Sequence, residues 1–173
     1  MTQTPSSSSW FQQRVQPRLW GRTERTLGLT IIELLIAVMI MATLATLGIP
    51  LYANALNNAR IAKAVADIRV LEREILVFQI FNGRLPNNLG QLGRANLLDP
   101  YGNPYQYLNI VGPPQPPRGQ VRSDRFLVPV NSDFDLYSMG QDGRSVRPFT
   151  ARQSRDDIVR AGNGGFVGLA AEF

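Results

Sequence analysis

The sequence predicts an α+β protein in which one long N-terminal helix, membrane-spanning in its first half and amphipathic in its second, packs on a small antiparallel β-sheet. Three observations predict it. Residues 29–51 form an unbroken apolar run, residues 61–78 carry an apolar stripe at helical spacing, and the remainder is dense in turn residues separated by short β-branched and aromatic stretches.

The apolar run is long enough, at roughly 30 Å as a helix, to cross the hydrocarbon core of a bilayer. It follows a leader over residues 1–28, of which residues 1–26, polar, with a Ser6-Ser7-Ser8-Ser9 run, Pro5, Pro17 and no periodicity, read as disordered. Arg14, Arg18, Arg22 and Arg25, against Glu24, sit before the run, so the positive-inside rule keeps the leader cytoplasmic and places everything after residue 51 across the membrane. An ordinary secretory signal would have a shorter apolar core and a small-x-small cleavage site, and Ala42 to Ala45 is a poor version of one.

Glu33 is the informative residue of the segment. A carboxylate inside hydrocarbon costs about 2.5 to 3.5 kcal/mol near the centre and less near an end, so it asks for a partner. No basic residue lies within the run. A cut just before Leu29 would create an ammonium four residues away, on the same chain or a neighbour. The other reading is an interfacial charge tolerated at headgroup level. Pro50, near Gly48, either kinks or breaks the helix where it stands, since it removes a hydrogen bond, or is an ordinary membrane proline.

Beyond residue 51, Ile61, Ala64, Ile68, Leu71, Ile75 and Phe78 recur three and four apart with charged residues around them, one stripe of a surface helix. The helix should continue over residues 52–82 and stop at Asn82-Gly83. Residues 83–173 form the head. Strand candidates are residues 105–111, 125–130 and 134–138, and Gly112-Pro113-Pro114-Gln115-Pro116-Pro117 reads as a semi-rigid loop.

Composition removes most enzyme chemistries. The 173 residues include no Cys and no His, which excludes thiol redox chemistry, Cys/His zinc sites and histidine acid/base catalysis. The net charge of +5 is not one patch, since much of it precedes the apolar run, and no nucleic acid partner is expected.

Gly28-Leu29-Thr30-Ile31-Ile32-Glu33, followed by the apolar run, resembles the prepilin peptidase signal of type IV pilins and type II secretion pseudopilins. The resemblance implies cleavage after Gly28, methylation of the new Leu29 amine, and a filament-core helix in which Glu33 and Pro50 serve assembly. Gly83-Arg84-Leu85-Pro86, Asp99-Pro100-Tyr101-Gly102-Asn103-Pro104-Tyr105-Gln106-Tyr107, the turn from Met139 to Gly143 and Asp156-Asp157-Ile158 are similar to successive signatures of the major pseudopilin. The leader is longer than usual in the family, and Leu29 stands where Phe is common.

Asp142, Asp156 and Asp157 are the head's best acidic cluster, and the helix-loop-helix calcium pattern is absent. The resemblance implies a Ca2+ ion held by these three residues with carbonyl oxygens near Met139 and Ser154. This chain has a longer segment between the two turns, carrying Arg144, Arg147, Arg152 and Arg155, whose guanidinium groups could pair with the same carboxylates instead. The glycine-rich tail from Gly164 to Leu169 reads as an extra edge strand or a subunit contact.

The function expected from the resemblance is that of a structural, non-enzymatic subunit of a periplasmic pseudopilus that drives protein export. Its expected partners are the prepilin peptidase, identical subunits in a helical filament, minor pseudopilins, and the inner-membrane assembly platform with its ATPase. A pilin of a surface pilus, serving adhesion, motility or DNA uptake, is the alternative within the same fold. A membrane-anchored enzyme would need a base or nucleophile beside the aspartates, and none is present in sequence.

Overall fold

The computed structural model describes residues 28–173, so the leader expected over residues 1–28 lies, apart from Gly28, outside the described residues. The chain divides into two compact units, Met1–Thr43 and Leu44–Phe173. Helix α1, Ile31–Asn82, has 52 residues and carries Pro50 within it without interruption.

In the first unit Thr30 precedes the helix, and the apolar side chains from Ile31 to Met41 are exposed. Thr43 satisfies its hydroxyl on the helix itself, donating to the Met39 carbonyl at 2.5 Å and to that of Ile40 at 3.1 Å, which a polar side chain on a lipid-facing helix requires. By length and composition α1 can cross a membrane, its most apolar window having a mean hydropathy of 2.4 and no buried residue.

In the second unit the stripe expected from the spacing is the buried face: Ala64, Ile68, Leu71 and Ile75 are almost fully enclosed, with Ile61 and Val65 partly so. The helix ends where glycine allows the left-handed conformation. Gly83 has φ 67°, and its N–H donates to the Gln79 carbonyl at 2.8 Å.

The sheet has four antiparallel strands in sequential order: β1 Gln106–Asn109, β2 Phe134–Ser138, β3 Ile158–Ala161 and β4 Phe166–Leu169. Gln106 pairs with Tyr137 across β1 and β2, Tyr137 with Val159 across β2 and β3, and Val159 with Gly168 across β3 and β4. Two apolar clusters share the sheet. Phe134, Leu136 and Ile158 join the helix stripe, while Val159 and Ala161 join Val130, Phe149 and Ala170. Adjacent β-strand residues point to opposite faces, which is why Ile158 and Val159 belong to different clusters.

The strand expected over residues 125–130 is not formed. Asp124 and Leu127 exchange backbone hydrogen bonds of 3.0 and 2.6 Å around a tight turn, Arg125 takes φ 41°, and Phe126 is wholly exposed at its tip. Both sides of β2 are already taken by β1 and β3, and Pro129 has no N–H to offer a ladder. The tail makes the edge strand that was one of its two readings. Strand β3 was not anticipated at all.

Candidate functional site

The N-terminal site is built by one local device. Thr30 caps the helix, and Glu33 reaches back to it. The Thr30 N–H donates to Glu33 Oε2 at 2.8 Å, the Thr30 hydroxyl donates to the same oxygen at 2.7 Å, and the Glu33 N–H donates to Thr30 Oγ1 at 3.3 Å. This reciprocal arrangement is a capping box. It gives Glu33 a partner within the chain, besides the N-terminal amine considered from the sequence. The signal was present as Thr-x-x-Glu ahead of an apolar run and had not been used. Gly28 and Leu29 precede the helix and are exposed.

The head's signatures converge on the start of the loop after β2. Asp99 accepts from the N–H groups of Tyr101 and Asn103 at 2.9 and 2.8 Å, and its second oxygen accepts from the Ser138 hydroxyl at 2.5 Å. Asn103 Nδ2 donates to the Gly140 carbonyl at 3.0 Å. Tyr105 donates to Asp67 on α1 at 3.0 Å, Tyr101 to Asn57 at 2.9 Å and Tyr107 to the Pro86 carbonyl at 2.8 Å. The motif from Asp99 to Tyr107 is thus a rivet among helix, sheet and loop.

The two C-terminal turns meet as the sequence suggested. The Asp142 N–H donates to Asp156 Oδ2 at 3.0 Å, and Gly140, at φ 65°, lies so close to the Asp156 carbonyl that a Cβ there would stand 2.2 Å from it. Asp157 does not join them. It is fully buried, and its Oδ2 accepts from Arg122 Nη2 at 2.7 Å and from the Ser145 hydroxyl at 2.5 Å. Burial pushes the Asp157 carboxyl up to about 6, against the pull of Ser145 and Arg122 in the other direction. Ser154 is also buried, its hydroxyl donating to the Val146 carbonyl at 2.6 Å. Met139 is half-buried on the turn.

Among the described residues no three acidic side chains are placed to hold a metal ion together. Asp157 gives Oδ2 to the Arg122 guanidinium and Ser145 and keeps only Oδ1 unpartnered, beside that guanidinium, so the other donors for calcium are Asp142, whose Oδ1 accepts from the Arg144 N–H at 2.7 Å, Asp156 and carbonyl groups. That set does not fit an ion that takes six to eight oxygens and is held by carboxylate charge. An arginine does pair with the cluster, but it is Arg122 rather than Arg144, Arg147, Arg152 or Arg155, none of which forms an ion pair with the three aspartates. Arg147 instead donates to the Val121 carbonyl at 3.1 Å.

A second buried arginine was not singled out from the sequence. Arg160, on β3, donates to Glu72 on α1 at 2.7 Å and to both oxygens of Asp133 at 2.8 and 2.7 Å. Its guanidinium lies 4.0 Å from the centre of the Phe134 ring. Burial alone would lower the Arg160 pKa, but Asp133 and Glu72 hold it above its usual value. An arginine inside an otherwise apolar Ile-Val-Arg-Ala strand was the available signal.

An α+β head on the amphipathic half of a helix whose other half is apolar, with a single acid in its first turn, is the pilin fold. Within that class the chain is similar to type II secretion system core protein G. It is 27% identical to the protein of that name from Pseudomonas aeruginosa over 141 residues, covering 68% of this chain and 84% of the relative. It is 28% identical to the Klebsiella pneumoniae protein over 142 residues, covering 78% and 94%, and 28% identical to that of Aeromonas hydrophila, covering 70% and 87%. No family-level sequence profile and no solved structure matches the chain.

Proposed function

We propose that this protein is the structural subunit of a periplasmic pseudopilus that drives protein export by type II secretion. The observation that carries the reading is its similarity, over most of its length, to three relatives that all bear the name of that system's core protein G. The pilin fold supports the class, and the shared name favours secretion over a surface pilus.

In this reading the prepilin peptidase cuts after Gly28 and methylates the Leu29 amine, leaving residues 29–51 as the membrane anchor and filament-core segment. The precursor sits in the inner membrane with residues 83–173 in the periplasm. The assembly platform and its ATPase then add it to a helical filament of identical subunits, with minor pseudopilins among the other components. Glu33 forms no ion pair with a basic side chain among the described residues, so it can answer the Leu29 ammonium of a neighbouring subunit. Pro50 marks the place where the helix has the least backbone resistance to loosening, because proline contributes no N–H.

The test is deletion of the gene with complementation. Export should be lost and restored by the unaltered chain, while Glu33→Ala is processed, keeps a folded head and leaves export defective. Intact export in the deletion strain with loss of surface pili would overturn the reading in favour of a pilus subunit.

A further inference from the structure

We propose that Arg122 is a built-in cation that takes over, in this chain, the neutralising and loop-tying work a divalent ion could do at Asp157, so that the head closes without calcium. Arg122 and Asp157 are both buried, with 4% and 0% exposure, in contact at 2.7 Å. The arginine is anchored through both terminal guanidinium nitrogens and its backbone N–H, while its Nε is buried without a hydrogen-bond partner among the described residues. The backbone N–H donates to Asp135 at 2.8 Å, and Nη1 donates to the Ser145 hydroxyl at 2.6 Å and the Val146 carbonyl at 2.7 Å. The guanidinium lies 4.3 Å from the Tyr137 ring centre and 5.0 Å from that of Phe149. Such a planar, always-charged group between two rings and a carboxylate is a site for arginine and not for lysine.

Three separate stretches meet on this one side chain: the segment that follows the proline-rich loop, the Ser145-Val146 stretch of the longer turn-to-turn segment, and the entry to β3. The remaining Asp157 oxygen, Oδ1, is buried and has no hydrogen-bond partner among the described residues. A divalent ion on Oδ1 would be held beside the guanidinium, and like charges repel strongly in a buried site. The same proximity that makes the pair excludes the metal.

The experiment uses the full-length chain in detergent micelles and follows the head by the near-ultraviolet circular dichroism of its tyrosines, first with millimolar calcium and then with chelator. The expected melting temperature is the same in both. A calcium site filled to a hundred times its dissociation constant would raise it by about 10 °C for a domain of this size, and a rise of that order would overturn the proposal. Trypsin cleavage at Arg118 and Arg125 then reports the tie itself. Arg122→Gln and Asp157→Asn should each speed cleavage by about tenfold or more, and the double variant should be no faster than the faster single variant, as for a coupled pair. Independent, multiplying losses would show that the two side chains do not act together. These readouts concern stability and not export, so they succeed or fail independently of the secretion reading.

Discussion

Replacing Arg160 with methionine tests whether the helix and sheet are clasped by charge or only by packing. Methionine keeps much of the side-chain bulk over Phe134, so the change isolates the guanidinium. Removing one partner of a buried ion pair costs about 3 to 5 kcal/mol, because the other charge stays buried without its counter-ion. Here two features pull toward the lower end. Glu72 keeps the Arg69 guanidinium at 3.1 Å, and the Asp133 side chain is 28% exposed and can recover water. Loss of the contact with the Phe134 ring adds about 1 kcal/mol. The expected loss is therefore about 3 to 4 kcal/mol, or about 10 to 15 °C in melting temperature for a unit of this size. Urea and thermal unfolding of the full-length chain in micelles, read by tyrosine circular dichroism, would measure it. Glu72→Gln should cost less and should couple with Arg160→Met in a double-mutant cycle by about 1 kcal/mol or more. A loss below about 1 kcal/mol would refute the reasoning, since it would mean that both carboxylates are as well solvated without the arginine as with it.

Gly140→Ala should destabilise the head by about 3 kcal/mol or more, since its Cβ would stand 2.2 Å from the Asp156 carbonyl oxygen at φ 65°. Gly143→Ala, at the same φ but with only the Asn103 side chain at 3.1 Å, should cost about 1 to 2 kcal/mol in the same denaturant titration. Thr30→Val should weaken the helix start by about 1 kcal/mol, seen as faster hydrogen exchange at the amides of residues 31–34. The Asp157 carboxyl, raised by burial to about 6 from an ordinary 3.8, binds more protons folded than unfolded between those values. Its contribution to stability is therefore greatest near pH 4, falls as pH rises to about 6 by up to about 3 kcal/mol, and is flat above. Asp157→Asn should flatten that stretch of the stability profile.

How much was legible followed from how local each signal was. The helix stripe and its end at Asn82 were readable because spacing and the Asn-Gly stop are local, and β2 was found at its actual bounds because Phe134, Leu136 and Tyr137 concentrate apolar and aromatic residues in a short stretch just after the polar Asn131-Ser132-Asp133. Strand β3 was missed because only Ile158 and Val159 precede a charged residue, and the alternation is hidden when both faces of a central strand are buried. Residues 125–130 misled because a β-branched run does not reveal that no sheet edge is open beside it. The meeting of the two aspartate turns was legible through motif resemblance. Arg122 was not, since it reaches Asp157 across 35 residues of chain and belongs to a segment with no periodicity of its own.

The sheet also determines how these molecules fail to stick together. Its two outer strands, β1 and β4, are four residues each. Pro104 stands just ahead of β1, Pro113 and Pro114 follow soon after it, and β4 turns at once into the 3-10 helix Ala170–Glu172. Short edges flanked by residues that cannot donate leave little backbone on which a foreign strand could template. Cross-β growth is discouraged at both margins of the head, so association can be left to side-chain surfaces, whose contacts can be undone.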